Sequence, residues 1–532
     1  MEVDQKPRAA LRRVTVVVPV YGDWASLREC VISLIAHAPS SDYDVLIVND
    51  VGPDADEIEA GLRALIAGHA HIRYERNPRN LGFVGTCNRT VNELDRSNND
   101  ILLLNSDTVV TAGAFDEMRA VLALDDHHGV VCPRSNDATI ATIPFYRREH
   151  SAPRDPDRAR AVFDAVADQL PRYYLAPVAV GFCLLARRDL IRRHGLFDVV
   201  FGAGYSEEND FCLRVNAHGV SSLIANHAFV YHVGSSSFGS EQRIALDARN
   251  SRVVLERYPH YPSSVVTFIH HDYCAADRFA DLLIPSPQDN RTSVLLTVGG
   301  PVDDAAEAQQ TARALHALLS TTPPSVNVVL GIGEADRTKL GIVVDDVVGE
   351  NVTIVDPDAL ETVFDLGVSL SLTTSIQHLE TLNRFCLRWA VVNADPSSLR
   401  SWATRVAALD AAEVARIAVR YADAFEWRSG LDHAENERLL GATATTTRST
   451  SVEDQPDEVS WLGLLATASA PVDLERLEAR HAHVRTIALI AQGAMAREFS
   501  REWQALRASR SYRLARRISA MTALPRLLRR DS

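Results

Sequence analysis

The sequence predicts an α/β fold: two sheet-containing units followed by a helical region that ends in a basic tail. A chain of 532 residues is too long for one ordinary hydrophobic core. Short β-rich runs alternate with helix-period segments, a pattern typical of sheets joined by crossover helices. A proline-rich break, Ile284–Asp289, precedes a second alternating region. We therefore predict domains at residues 1–283 and 290–440, a linker at 441–458 and a helical region at 459–532.

The first unit begins with a strand at Val14–Val18 and a helix at Trp24–His37, for which Asp23 supplies the N-cap. The next predicted elements are a strand at Asp44–Val48, a helix near 57–67, and strands at His71–Tyr74 and Asp100–Leu104. Nucleotides bind such sheets at the carboxyl ends of the strands. Three turns follow strands here and predict a ligand site at one edge of the sheet: Pro19–Tyr21, Asn49-Asp50 and Asn105-Ser106-Asp107.

The second unit has a five-strand pattern, with strands predicted at Ser293–Val298, Val326–Leu330, Val352–Val355, Val368–Leu372 and Trp389–Asn393. The Thr/Ser-rich stretch Gly441–Asp457 has the composition of a linker. Beyond it the pattern is helical and ends in a basic amphipathic segment, Ser509–Ile518.

The charge of the chain is unevenly distributed. Its net charge is −14, yet Ala496–Ser532 contains ten arginines and only three acidic residues. This basic end indicates contact with an anionic membrane surface; the alternative is a solvated arginine face packed on the acidic body. The acidic balance of the rest disfavours a nucleic-acid partner.

Composition excludes several classes of protein. No run approaches the ~20 apolar residues that span a bilayer, and the N-terminal segment lacks the apolar core of a secretory signal. The seven cysteines are dispersed without paired spacing, which indicates reduced thiols rather than disulfides or a zinc site. We expect a cytoplasmic protein, peripheral at the inner face of the cell membrane.

The tripeptide Asn105-Ser106-Asp107 follows the apolar run Ile101–Leu104. A polar tripeptide after a strand can be only a turn or a helix cap. Capping fits Thr111 better, because the next helix is predicted to begin near Ala112. The Asp107 carboxylate therefore stays available for a divalent metal ion, with the simple turn as the alternative.

Glu207 and Glu208 fall in the first turn of a predicted helix, after Ser206 as its N-cap. The helix dipole favours acidic residues there without any catalytic role. However, the preceding Phe201–Tyr205 is glycine-rich and aromatic, as in loops that pass close to a ligand. Two adjacent carboxylates also raise one pKa, which suits a general base. We favour catalysis for Glu208.

Two neighbouring candidates have ordinary explanations. Asp210 and Arg214 are four residues apart and can form an intrahelical ion pair, so we predict a structural role for Asp210. His232 ends the apolar run Ala228–Tyr231, where a lone histidine is more often a hydrogen-bonded surface residue than a metal ligand.

The N-terminal half resembles family 2 glycosyltransferases with the GT-A fold, particularly the bacterial rhamnosyltransferase-like and galactofuranosyltransferase-like branch. The resemblance implies a Rossmann-like domain that binds a nucleotide-diphosphate sugar, dTDP-rhamnose or a UDP-hexose. The motifs that carry it are Val16–Tyr21, Val48–Asp50 with Asp54, Asn80–Phe83 with Asn88, Leu104–Asp107, Gly181–Cys183, Glu207–Arg214 and Tyr231–Gly234.

The resemblance also implies roles for single residues. Asp107 and His232 would hold Mn²⁺ or Mg²⁺ at the donor diphosphate. Glu208, beside Glu207, would deprotonate the acceptor hydroxyl in a transfer with inversion. The implied donor-site residues are Pro19, Tyr21, Asn49, Asp50, Asn80, Gly82, Asn88, Asn105 and Ser106, and the implied acceptor-site residues are Gly181, Phe182, Gly204 and Tyr205.

Two residues depart from the family pattern. Asn105 replaces the first aspartate of Asp-x-Asp, which leaves one carboxylate near the metal, and Glu208 replaces the commoner aspartate base. The first departure keeps a second hypothesis open: a catalytically weakened, sugar-nucleotide-binding scaffold subunit of a glycan assembly complex. A dinucleotide oxidoreductase is disfavoured, because Val18–Gly22 cannot supply a glycine-rich pyrophosphate turn.

The second unit resembles half of a GT-B transferase, with Glu380 in the segment Ser371–Leu382 and Thr373-Thr374-Ser375 where an acidic companion is expected. We predict that this unit supports assembly or acceptor binding and has no chemistry of its own. The whole chain is expected to add one sugar to a growing, lipid-linked cell-surface glycan.

Overall fold

The computed structural model describes residues 11–148, 155–234, 240–285, 291–298, 305–341, 351–371, 375–394, 411–427 and 461–508. The chain divides into two compact units, Met1–Ser286 and Pro287–Ser532. Each unit is built on one sheet, which confirms the predicted α/β fold class. The predicted linker Gly441–Asp457 and the amphipathic segment Ser509–Ile518 lie outside the described residues.

The first unit contains a nine-stranded sheet covered by helices. Its strands are β1 (Val14–Val20), β2 (Tyr43–Asn49), β3 (Ile72–Arg76), β4 (Asp100–Leu104), β5 (Thr108–Val110), β6 (His128–Arg134), β7 (Tyr173–Ala176), β8 (Cys183–Ala186) and β9 (Ser221–His232). Its helices are α1 (Trp24–His37), α2 (Ala55–Leu65), α3 (Gly82–Arg89), α4 (Ala114–Leu122), α5 (Pro156–Val166), α6 (Arg188–His194), α7 (Glu207–Asn216), α8 (Ser240–Arg257), α9 (Tyr261–Thr267), α10 (Ala275–Arg278) and α11 (Ala280–Leu283).

This sheet has a parallel half and a mixed half. The strand order is β3-β2-β1-β4-β8-β6-β9-β5, with β7 also paired to β9. The first four strands are parallel, so the turns after β1, β2 and β4 meet at one edge, as predicted. β8 runs antiparallel to β4, and β9 pairs with β5, β6 and β7.

The strands of the parallel half are apolar because helices cover both faces. Val16, Val17 and Val18 of β1 are all fully buried, a pattern that suits a central parallel strand. The predicted helix Trp24–His37 is confirmed, and the Asp23 carboxylate accepts a hydrogen bond from Ser26 N as its cap.

The second unit contains a fully parallel six-stranded sheet in the order β12-β11-β10-β13-β14-β15. The strands are β10 (Thr292–Thr297), β11 (Val326–Gly331), β12 (Val352–Val355), β13 (Phe364–Ser369), β14 (Cys386–Ala394) and β15 (Ala424–Trp427). The helices are α12 (Ala305–Ser320), α13 (Glu334–Leu340), α14 (Ile376–Phe385), α15 (Ala411–Tyr421), α16 (Trp461–Ala468) and α17 (Leu474–Ala508). This order is that of a doubly wound sheet, with its switch point between β10 and β13.

Two predictions for this unit need correction. The strand expected at Val368–Leu372 lies at Phe364–Ser369, four residues earlier, because the apolar run begins at Phe364. A sixth strand, Ala424–Trp427, was not predicted. The core combines β-strand residues with the α16 residue Trp461, whose indole N–H donates to Leu318 O at 2.8 Å.

Candidate active site

The turn after β2 is held by its own side chains. The buried Asn49 amide donates to Ala55 O at 3.0 Å and accepts from Val51 N at 2.9 Å. A Cβ at Gly52 would lie 1.5 Å from Tyr21 O, so only glycine lets this turn approach the turn after Pro19 so closely. The polar atoms of Asn49 therefore shape the predicted donor edge.

Asp50 organises the next part of this edge. Its Oδ1 accepts hydrogen bonds from Asn77 Nδ2 and Leu81 N, both at 2.7 Å. Asn80 Oδ1 accepts from Gly82 N at 2.9 Å, which forms a local turn at the start of α3. Asp50 thus fixes the loop before α3, while Tyr21 stays 37% exposed at the edge.

Gly82 and Asn88 join α3 to more distant loops. Gly82 has φ +71°, and a Cβ there would lie 3.3 Å from Ala203 Cα. Asn88 donates from Nδ2 to Phe197 O at 2.8 Å and accepts from Phe197 N at 3.1 Å. Both polar groups of Asn88 are thus engaged by backbone, a geometry that favours positioning over direct contact with a donor.

The predicted metal-binding tripeptide lies in the turn between β4 and β5. Asn105 N donates to Phe182 O at 2.8 Å, and Thr108 Oγ1 donates to Asn105 O at 2.7 Å. Ser106 lies between them and is partly exposed. This turn places the Asp107 side chain at the carboxyl end of β4.

The helix cap predicted at Thr111 is wrong. Helix α4 begins at Ala114, after Gly113 with φ +76°, so glycine supplies the left-handed turn instead of a polar cap. Thr111 Oγ1 donates to Phe229 O at 2.5 Å and so ties this turn to β9.

The structure brings His232 to Asp107. His232 Nε2 lies 3.5 Å from Asp107 Oδ1, and the imidazole Nδ1 lies 2.7 Å from Asp137 O. The Asn136 amide exchanges two hydrogen bonds of 2.9 Å with the His232 backbone. Burial alone would lower the pKa of His232, but hydrogen bonding to Asp107 and its negative charge outweigh burial and raise it.

These two side chains fit a divalent cation. A carbonyl oxygen only accepts, so the neutral imidazole carries its proton on Nδ1 and turns the Nε2 lone pair towards the Asp107 carboxylate. Such outer hydrogen bonds orient histidine ligands in metal sites. The described residues contain no cluster of three or more His, Cys, Asp or Glu side chains able to hold a metal, so of these residue types only Asp107 and His232 would contact a cation at this position.

The acidic pair begins helix α7. Ser206 occupies the N-cap position as predicted, but its backbone is left-handed, with φ +70°, and its side chain makes no capping hydrogen bond. Burial raises the pKa of Glu208 to about 7. Burial, and then the neighbouring charge of Glu208, raise the pKa of Glu207 well above its ordinary range. Glu207 Oε2 is buried without a hydrogen-bond partner among the described residues.

The predicted ion pair between Asp210 and Arg214 is present. The Asp210 carboxylate lies 3.2 Å from Arg214 Nη2 and 2.7 Å from Arg257 Nη1 of α8. Asp210 is fully buried and pairs with two guanidinium groups, so it holds α8 against α7.

Gly181 and Phe182 connect the base candidate to the metal candidates. A Cβ at Gly181 would lie 3.0 Å from Glu208 Cγ, so this glycine packs directly against the Glu208 side chain. The adjacent Phe182 ring stacks on the His232 imidazole, with centroids 5.2 Å apart and an interplanar angle of 26°. Glu208 and His232 therefore contact two residues whose Cα atoms are only about 3.8 Å apart, because Gly181 and Phe182 are consecutive.

The loop before α7 has a strained backbone. Gly204 has φ +122° and Tyr205 has φ +72°, the latter unfavourable for a residue with a side chain. A Cβ at Gly204 would lie 3.5 Å from Phe83 Cβ, so this loop passes closely over α3. The predicted acceptor residues Gly204 and Tyr205 therefore adjoin Glu207 and Glu208.

Sequence reasoning missed the residues that hold this loop and surround Glu208. Asn250 of α8 binds the loop backbone, Asp247 raises the pKa of Glu208, and Tyr261 of α9 donates to Asn209 Oδ1 at 3.3 Å. No local motif marks them. The sequence offered one weak signal for them: Asp247 and Asn250 lie one turn apart in the helix that follows His232.

In the second unit Glu380 lies on α14, where burial raises the pKa of its carboxyl group. The nearby His378 Nε2 lies 2.9 Å from Thr297 Oγ1, and burial lowers its pKa to about 4. Ser375 caps α14, while Thr373 and Thr374 lie outside the described residues.

Part of the first unit matches a known family model. Residues 15–195 match the model of the family described as Glycosyl transferase family 2. No curated protein matches the chain. The family match ends before Glu207, Glu208 and His232, so it leaves their roles open. Of the described helices, none is long and apolar enough to cross a membrane.

Two solved structures are similar at low level. One is GalNAc-T7 with UDP, GalNAc and Mn²⁺, at 15% identity and a TM-score of 0.36, covering 46% of this chain and 48% of that chain. The other is the mannosyltransferase PcManGT from Pyrobaculum calidifontis in complex with GDP-Man and Mn²⁺, at 15% identity and a TM-score of 0.35, covering 52% of this chain and 76% of that chain. The chain thus spans about half the length of the first of these proteins.

Proposed function

We propose that the protein is a metal-dependent, inverting glycosyltransferase that moves a sugar from a nucleotide-diphosphate donor to a hydroxyl of a growing, lipid-linked cell-surface glycan. The observation that carries this proposal is the Gly181-Phe182 dipeptide, which packs against Glu208 on one side and stacks on His232 beside Asp107 on the other. A general base and a cation-binding pair therefore lie next to each other.

The chemistry follows from these positions. A Glu208 carboxylate oxygen takes the acceptor hydroxyl proton, and a pKa of about 7 lets this group be both ionised and basic near neutral pH. The acceptor oxygen then bonds to the anomeric carbon as the bond from that carbon to the diphosphate oxygen breaks. A divalent cation held by Asp107 and His232 would neutralise the charge of the departing diphosphate. The Phe182 ring that stacks on His232 is itself buried.

A panel of nucleotide sugars tests the proposal. Purified protein with Mn²⁺ or Mg²⁺ is offered dTDP-rhamnose, UDP-hexoses and GDP-mannose, and release of nucleoside diphosphate is measured. The proposal is supported if wild type turns over one donor and if Glu208→Gln and Asp107→Ala lose this activity. The control Glu256→Gln, at an exposed residue, should keep it.

The scaffold alternative is favoured by one observation, the amide Asn105 in place of a second carboxylate. It predicts donor binding without turnover, even with lipid-linked acceptors from a bacterial membrane extract. Calorimetric titration of each donor in the same panel separates binding from turnover.

We further propose that the basic end of the chain attaches the enzyme to the inner face of the cell membrane, where a lipid-linked acceptor would lie. The excess of arginine over acidic residues in 496–532 supports this attachment, because it would be attracted to anionic lipids. Flotation with anionic liposomes, with and without those residues, tests it. Equal flotation of both proteins would exclude the attachment.

A further inference from the structure

Asn250 of α8 binds the loop that leads into the acidic pair. Its side chain is fully buried. The amide Nδ2 donates to Phe201 O at 3.0 Å, Gly204 O at 2.7 Å and Tyr205 O at 3.1 Å. One amide group therefore engages three carbonyl oxygens within five residues of the loop.

Arg249 supports this amide. Its Nη1 donates to Asn250 Oδ1 at 3.1 Å, and its Nη2 donates to Val200 O at 3.2 Å. The guanidinium fixes which end of the Asn250 amide faces the loop, because Oδ1 must accept and Nδ2 must then donate. We call Arg249 and Asn250 together the carbonyl clamp.

The loop needs an external restraint. Gly204, Tyr205 and Ser206 all have positive φ, and two of these residues carry side chains that disfavour such angles. The usual alternative, a side-chain cap at the start of α7, is missing because Ser206 makes no capping hydrogen bond. Without the carbonyl clamp this backbone would relax towards ordinary angles and rotate the first turn of α7.

We propose that Asn250 is a positioning residue that holds the Glu208 carboxylate against Gly181, with Arg249 as its support. The inference rests on the proposed function, because positioning matters only if Glu208 acts as a base. The proposal goes beyond the reacting groups, because it makes the alignment of the Glu208 base depend on α8, the helix that follows His232 in the chain.

The surroundings of Glu208 provide a readout specific to positioning. Besides burial, the charge of Asp247 of α8 raises the pKa of Glu208. The charge of Glu208 in turn raises the pKa of Glu207 and Cys212 of α7 and of Tyr261 of α9. Burial is the main cause of its raised pKa. A released loop exposes the carboxylate to water and moves that pKa back towards the ordinary value of about 4.3.

The test compares Asn250→Ala with Arg249→Ala and with the control Asn226→Ala. Asn226 is an equally buried amide that donates to Pro171 O at 2.8 Å and so holds a different loop. With the donor that wild type turns over, Asn250→Ala should lower kcat about 10–100-fold and leave the donor KM within about twofold. The acid limb of its pH profile should move down by at least about one pH unit. Arg249→Ala, at an exposed position, should change in the same direction by less.

Hydrogen exchange of the amides of residues 199–210 gives a second readout that needs no activity. Exchange there should accelerate at least about tenfold in Asn250→Ala and stay unchanged in Asn226→Ala. Unchanged exchange in Asn250→Ala overturns the clamp. Faster exchange with an unmoved pH limb and unchanged kcat overturns the positioning role. If wild type turns over no donor, the proposed function fails, and the exchange result still decides whether Asn250 holds the loop.

Discussion

His232 Nε2 lies 3.5 Å from Asp107 Oδ1 because the antiparallel pairing of β5 with β9 sets Thr108 opposite His232. The register of two strands therefore creates the pair. Asp137 O fixes the imidazole from the other side. The arrangement suits a cation that bridges the two side chains.

Replacing either member of this pair should remove the cation site. We expect Asp107→Asn and His232→Ala to weaken Mn²⁺ binding by more than the roughly 10–100-fold that loss of an outer-shell partner costs. Electron paramagnetic resonance of free Mn²⁺ measures this directly. His218→Ala, at an exposed histidine, is the control and should bind as wild type. Equal Mn²⁺ affinity in all variants would contradict the site.

Turnover should depend on the ionisation of Glu208. Its pKa of about 7 predicts a rate that rises with pH and levels off above that value, since only the carboxylate accepts a proton. Glu208→Gln should lower kcat by roughly 10²–10⁴-fold and abolish this limb. A pH–rate profile from pH 5 to 9 tests it. An acid limb that persists in Glu208→Gln would assign the base elsewhere.

The same group should reduce stability at high pH. The folded-state pKa of about 7 lies above the unfolded value, so the stability that neutral Glu208 contributes is present below about pH 4 and is lost as pH rises through 7. At pH 9 the free energy of unfolding of Glu208→Gln, measured by urea unfolding, should therefore exceed that of wild type by about 1–3 kcal/mol, and at pH 4 it should show no gain. A gain independent of pH would point to packing instead of charge.

Gly181→Ala should impair catalysis more than folding. Its Cβ would lie 3.0 Å from Glu208 Cγ, so the carboxylate must shift. A misplacement approaching 1 Å can reduce the rate about 10²-fold. Gly333→Ala, where a Cβ would meet no atom within 4 Å, is the matched control. We expect reduced kcat with an unchanged donor KM in the first variant only.

The buried ion pair between Arg134 and Asp277 should be essential for stability. Both side chains are fully buried, and Nη2 lies 2.7 Å from Oδ1. Asp277→Asn leaves an unpaired buried charge and should cost about 3–5 kcal/mol in the free energy of unfolding. Asp189→Asn, which breaks an exposed pair with Arg193, should cost under about 1 kcal/mol. Urea unfolding of both variants compares them.

Strong local patterns allowed much of the fold to be predicted. The helix Trp24–His37 has its predicted bounds because apolar periodicity and the Asp23 cap coincide there, and the strand Asp100–Leu104 has its predicted bounds because Ile101–Leu104 is a continuous apolar run. The strand Ala424–Trp427 was missed, since four residues give too little alternation to recognise. The cap at Thr111 was predicted wrongly, because Gly113 can turn the chain without a polar side chain.

The candidate site likewise contains residues that the sequence predicts and residues that it does not. Asp107 could be singled out because it follows a recognisable strand, and Glu208 because it begins a helix. His232 became a candidate only through the family resemblance, since its position at a strand end fits an ordinary surface histidine. Asn250 could not be singled out, since its partners are backbone carbonyls of a loop more than forty residues earlier and no sequence pattern marks such carbonyls. Likewise, the pairing of His232 with Asp107 depends on a register that only the assembled sheet defines.

Strand β9 sets a practical limit on dissecting the protein. The stretch matched by the family model stops at residue 195, whereas β9 begins at Ser221 and pairs with β5, β6 and β7. A fragment trimmed to residues 15–195 would leave the hydrogen-bonding edges of those strands open, and open edges recruit other chains. Such a fragment should aggregate on expression, whereas one that extends through α8 retains every strand of the first sheet.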